Sequence, residues 1–123
     1  MTTPTTTETL PAPVARYIAA TNAFDLEGIM ATFADDALVN DHRCEFPDRA
    51  AIRGWAAREI VADRVTMDVV AGKRRGHSVA VRARIDGNFD KKGLPSPLFL
   101  DFYFSCSATH IEQLVIVFNT PAK

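Results

Sequence analysis

The sequence predicts an α+β domain in which three helices near the N-terminus pack on one face of a curved, mostly antiparallel sheet. Two observations lead there. Apolar residues recur at helical spacing through the first half of the chain, and from Val65 onward they alternate with a period of two. A third concerns size: 123 residues suit one domain around one core. Residues 1–11 read as a disordered tail and 12–121 as the single domain.

The elements follow in order. Val14, Tyr17, Ile18, Thr21 and Phe24 form one stripe of a first helix, so Tyr17 faces inward. Asp25 is suited to cap a second helix whose Leu26, Ile29, Met30 and Phe33 make an apolar face, with Gly28 weakening it slightly. After Asp35 and Asp36 the period becomes two. Ala37, Val39 and Asp41 then share one face of a strand, with Leu38, Asn40 and His42 on the other. The segment HRCEF reads as a loop, and Asp48 as the N-cap of a third helix carrying Ile52, Trp55, Ala56, Glu59 and Ile60 on one side.

Val65, Met67 and Val69 alternate with Thr66 and Asp68 in the next strand, and Lys73 to Gly76 reads as a turn. His77, Val79, Val81, Ala83 and Ile85 line one face of the strand after it. Gly87 to Pro97 is a connection. Two strands, Leu98 to Ser107 and Ile111 to Thr120, are apolar on both faces, which predicts a homodimer packed through the sheet.

Composition narrows the function. Charged residues make up 24% and the net charge is -1, which gives no argument for a nucleic-acid partner. No apolar run approaches the roughly 20 residues of a membrane span, and MTTPTTTETLPAP has neither the basic start nor the apolar core of a signal peptide. Cys44 and Cys106 are isolated, so a reducing, cytoplasmic location is expected. His42 with Cys44 and Cys106 with His110 lack companions at zinc spacing, and no metal site is expected.

Taken singly, Tyr17 reads as a core aromatic and Asp41 as a loop cap or an arginine partner. Together they carry more. An aspartate on an apolar strand face, in a chain with an inward tyrosine, is unfavourable unless it is partnered or used. Trp55 belongs in the core or in a pocket wall, where its indole N–H seeks an acceptor.

The pair Arg16-Tyr17, the segment NA-x-D-L-x-G-I from Asn22 to Ile29, and F-A-D-D-A-x-V-x-D from Phe33 to Asp41 resemble the opening of the ketosteroid isomerases. These are small members of the NTF2-like superfamily, which also holds the SnoaL-type polyketide cyclases. The resemblance implies the NTF2-like cone and a pocket for a small hydrophobic ligand, with no cofactor.

It also implies roles. Asp41 corresponds to the catalytic base and Tyr17 to the oxyanion-hole tyrosine. Asp101, in LFLDFYF, is the candidate for a third residue, an aspartate kept protonated so that it can donate a hydrogen bond. Parity of the strand points the other way for Asp101. Leu98, Leu100, Phe102, Phe104 and Cys106 share one face, leaving Asp101 with Phe99, Tyr103 and Ser105 on the more polar one. Phe33, Val39, Trp55, Leu114, Ile116 and Phe118 are the expected pocket wall, with Glu59 and Asn119 at its rim. His42 is an acid or base by type, although strict alternation sends its ring to the far face.

The sequence departs from the isomerases at His42, where they usually carry proline, and at Ala56, where many carry a tyrosine. The resulting expectation is a small protein catalysing isomerisation or cyclisation by proton transfer on a hydrophobic carbonyl compound. The alternatives are a non-catalytic ligand-binding module and a dimerising domain whose pocket is filled by its own aromatic rings.

Overall fold

A computed structural model describes residues 10–118. Helix α1 spans Ala12–Asn22 and buries Val14, Tyr17, Ile18 and Thr21, four of the five stripe positions anticipated. Leu10, assigned to the tail by sequence, also packs on the core at 8% exposure. The chain turns at Phe24, whose φ is 57°, into α2 at Leu26–Ala31. Asp25 caps α2 by accepting from the Gly28 N–H at 3.0 Å.

Gly28 therefore has a purpose beyond tolerated weakness. A Cβ there would stand 2.5 Å from Asp25 Oδ2, so a side chain would displace the cap.

Strand β1 covers Phe33–Asp41 and opens four residues earlier than the alternation suggested. Phe33 is thus a strand residue, not part of α2, though still buried at 2%. The segment read as a loop folds back as a short strand, β2 at Cys44–Phe46, pairing antiparallel with the end of β1. Helix α3 spans Arg49–Ala56, capped by Asp48, which accepts from Ala51 N–H at 2.8 Å, and it runs on into a π-helical turn at Ala57–Val61. The third helix therefore follows the β1–β2 hairpin.

Strands β3 (Thr66–Arg75), β4 (Ser78–Asp86), β5 (Leu98–Cys106) and β6 (Ile111–Val117) complete a six-stranded open sheet in the order β2-β1-β6-β5-β4-β3. All pairings are antiparallel except β1 with β6. β3 runs through Arg75, so Lys73, Arg74 and Arg75 end a strand, and the tight turn falls at Gly76 with φ of 60°. Residues 119–121 of the expected domain lie outside the described residues.

The helices cover one face of the curved sheet, and the core between them holds Val39, Val81, Phe102, Phe104, Leu114 and Ile116. The other face is mixed. Tyr103 is 44% exposed there, and Phe99, Asp101 and Ser105 are half-buried, so the outer side of β5 alternates aromatic with polar residues.

Two side chains fasten helices to the sheet. Arg49 donates to the carbonyls of Phe33 and Met30 at 2.9 and 3.3 Å, holding α3 to the α2–β1 junction. At the end of α1, Asn22 Nδ2 donates to Met67 O at 3.0 Å while its Oδ1 accepts from Met67 N–H at 2.7 Å. β3 is an edge strand, so this amide completes hydrogen bonding that no neighbouring strand supplies. Replacing Asn22 by Ala removes both bonds and is expected to lower the unfolding free energy by about 2 kcal/mol. Urea denaturation of wild type and variant measures this directly.

Candidate active site

Between the helices and the inner sheet face lies a cavity of about 260 Å³. Its walls draw on nearly every element: Tyr17 and Thr21 from α1, Asp41 from the end of β1, Trp55 from α3, Phe102 from β5 and Ile116 from β6. The connection between β4 and β5 adds Phe89 and Leu94, and the π-helical turn brings Glu59 and Ile60 to the rim. A π-helical turn rotates the side chains that follow it relative to a regular helix, a device common at functional sites.

Asp41 is held at both oxygens. Trp55 Nε1 donates to Oδ2 at 3.0 Å, and His42 Nδ1 lies 2.8 Å from Oδ1. The sequence placed Asp41 on the same face as the buried Val39, and it put Trp55 in the core or in a pocket wall, its indole N–H seeking an acceptor; Asp41 is that acceptor. His42 departs from alternation. Its φ is 53°, and Arg43 follows at 74°, two left-handed residues that turn the chain from β1 into β2. The His42 N–H still donates to Ile116 O at 3.0 Å, so the backbone stays on the sheet while the ring comes round to Asp41. The side chains of Asp41 and His42 are 25% and 47% exposed.

Tyr17 is 1% exposed, with edge-on contacts to Phe33 and Phe104 at centroid distances of 5.9 and 5.6 Å. Burial pushes its phenol far above the ordinary 10.0. Nearby Thr21 tempers the rise and the negative charge of Asp41 adds to it. The two hydroxyls are neighbours without meeting hydrogen-bond geometry, and Thr21 Oγ1 is buried with no partner. Tyr17 thus remains a neutral donor at any physiological pH.

Of the expected wall residues, Trp55, Ile116 and Phe118 line the cavity, whereas Phe33, Val39 and Leu114 are packed behind it in the core. Trp55 and Phe118 border open space and do not fill it. Asp101 is not in the site. It points to the outer face of the sheet, where both its oxygens accept from Arg82 Nη1 at 3.1 Å. The register that pairs Phe102 with Ile116 puts its neighbour Asp101 on the opposite side. Glu59 lies at the rim as expected, and Asn119 falls outside the described residues. Sequence reasoning missed Thr21 as a lining residue, and also Asp63, Met67, Phe89 and Leu94. Thr21 sat on the inward stripe of α1, which was the available signal. The β4–β5 connection offered none, because its Phe89 and Leu94 meet the cavity only through the path of a loop.

The phenol has a consequence for stability. A tyrosine whose folded-state pKa exceeds its unfolded value stabilises the fold fully below pH 10.0, and that contribution is lost as pH rises beyond it. Wild type should therefore lose stability steeply above pH 10 in urea denaturation, and Tyr17→Phe should flatten that loss; an equally steep loss in the variant would contradict the buried neutral phenol.

Known proteins resemble this chain over most of its length. Residues 14–105 match the SnoaL-like domain. A Sinorhizobium meliloti protein described as a candidate polyketide cyclase superposes with a TM-score of 0.81 at 26% identity, covering 92% of this chain and all of the other. A Catenulispora acidiphila protein with a ketosteroid isomerase-like fold gives 0.74 at 24% identity, over 89% of this chain and 86% of the other. A Sphaerobacter thermophilus protein gives 0.71 at 20% identity, over 89% and 94%. With its family match spanning most of its length and the same α+β architecture in these structures, the chain belongs to the SnoaL-like family of NTF2-like proteins.

Proposed function

We propose that this protein catalyses cofactor-free proton transfer, an isomerisation or cyclisation, on a small hydrophobic carbonyl compound, with Asp41 as the base. The observation that carries the reading is a carboxylate fixed at both oxygens in the wall of a largely apolar cavity that also contains a neutral phenol. Trp55 and His42 hold the carboxylate in one orientation, and the apolar surroundings limit its hydration, so it is ready to take a proton from carbon next to a carbonyl. Tyr17, neutral by burial, is the donor available to the enolate oxygen that develops. The substrate oxygen thus belongs on the α1 side of the cavity and its acidic carbon near the end of β1. Asp101 has no part in this chemistry.

The base can be tested without knowing the substrate. 5-Nitrobenzisoxazole is small, apolar and opened by removal of one carbon-bound proton, so its elimination reports a positioned base. Asp41→Asn should lower that rate by at least about 100-fold with the fold intact by circular dichroism. An unchanged rate would exclude Asp41 as the base. If wild type binds the phenol equilenin but turns over neither this compound nor conjugated ketones, the protein is a ligand-binding module that uses the same cavity.

We also propose that it works in the cytoplasm as a homodimer joined through the outer sheet face. Tyr103, Val115, Val117 and Phe99 make an apolar strip there around the Arg82–Asp101 pair. Such a strip is suited to a second copy related by a two-fold axis. Tyr103→Arg should shift the protein from dimer to monomer in sedimentation velocity; a wild-type monomer at all concentrations would refute the assembly.

A further inference from the structure

The charges around the cavity are one-sided. Asp41, Glu59 and Asp63 line it, and among the described residues no lysine or arginine does. The sequence carries 14 basic residues, so their exclusion is informative. Several of them are engaged elsewhere. Arg64 lies over the Phe24 ring at 4.1 Å, and Lys91, though 5.3 Å from the Phe89 ring, is held by Asp86 at 3.2 Å. Arg84 pairs with Asp68 at 3.2 Å, Arg53 with Glu27, and Arg82 with Asp101. Among the described residues, neither Glu59 nor Asp63 has an ion-pair partner, and both line the cavity.

The rest of the lining suits the same occupant. Trp55, Phe89, Phe102 and Phe118 contribute aromatic rings to the lining, and such rings accommodate hydrocarbon and, through their negative faces, cations. Inside, Thr21 is 1% exposed, and its hydroxyl, beside that of Tyr17 but outside hydrogen-bond geometry, is a buried polar atom that a bound molecule could engage. A carboxylate or phosphate entering this cavity would meet three carboxylates, with the His42 ring already engaged by Asp41 and no lysine or arginine in the lining.

We propose that the cavity takes a small hydrophobic compound bearing a protonated amine, with Glu59 and Asp63 receiving the ammonium at the mouth and the hydrocarbon body lying among the aromatic rings. This deepens the proton-transfer reading and rests on it for the carbonyl group, making the substrate class an aminoketone. The charge preference itself is a matter of binding alone.

Trp55 is the only tryptophan in the sequence and lines the cavity, so its emission reports occupancy. Cyclohexylmethylamine, cyclohexylmethanol and cyclohexanecarboxylate share one ring and differ in charge at neutral pH. The amine should bind at least about tenfold more tightly than the alcohol, and the carboxylate should give no saturable change. In the Glu59→Gln/Asp63→Asn double variant the ratio of amine to alcohol affinity should fall to about one. The proposal is overturned if the carboxylate or the alcohol binds as well as the amine, if the amine gives no saturable change, or if the preference survives in the double variant. An unchanged elimination rate in Asp41→Asn with the amine preference intact would count against Asp41 as base only, and elimination that depends on Asp41 without an amine preference would count against the ligand class only.

Discussion

The arrangement depends on one carboxylate that is kept at the inner face of the sheet. Asp41 ends β1, which lies parallel to β6 in a register that pairs it with Ile116. That backbone pairing fixes where the carboxyl group emerges, and Trp55 and His42 fix how it is turned. Without the indole and imidazole a half-buried carboxylate would be poorly compensated; with them, one donor sits at Oδ2 and one ring nitrogen at Oδ1. Each partner arrives by a different route. Trp55 comes from a helix that Arg49 ties to the start of β1, and His42 comes from two left-handed residues in the following turn.

The same carboxylate shapes its surroundings. It contributes to keeping the Tyr17 phenol neutral, adding charge repulsion to the larger effect of burial. A neutral hydroxyl and an orientated carboxylate therefore share one cavity. Elsewhere the walls are hydrocarbon and aromatic, drawn from helices, sheet and the β4–β5 connection. The fold thus separates duties. The packed core behind Phe33, Val39 and Leu114 supplies rigidity, and the layer in front of it supplies the space.

Arginine placement shows the complementary side of this division. Arg49, Arg53, Arg64, Arg82 and Arg84 are spent on carbonyls, carboxylates and an aromatic ring outside the cavity. Exposed pairs such as Arg53–Glu27 add little to stability. They do keep the guanidinium groups away from the acidic rim.

Much of this was legible in the chain itself, because periodicity is a local property. The helical stripe on α1 put Tyr17 inside, the alternation in β1 put Asp41 beside Val39, and the alternation in β5 already set Asp101 apart from Phe102. Family likeness in residues 14–41 pointed to the fold that these elements build. Other features needed the tertiary structure. The strand β2 is too short and polar to show a pattern, and it exists because the end of β1 offers it a ladder. His42 reaches Asp41 only because two backbone angles leave the region that alternation assumes. Whether a buried residue lines space or fills it, as Ile116 and Leu114 do respectively, depends on where the opposing helices stop. Sequence by itself determined which side of each element turns inward, since side-chain direction follows from backbone period. Only the tertiary structure decided which inward residues meet, because that is set by register, helix packing and loop path between segments far apart in the chain.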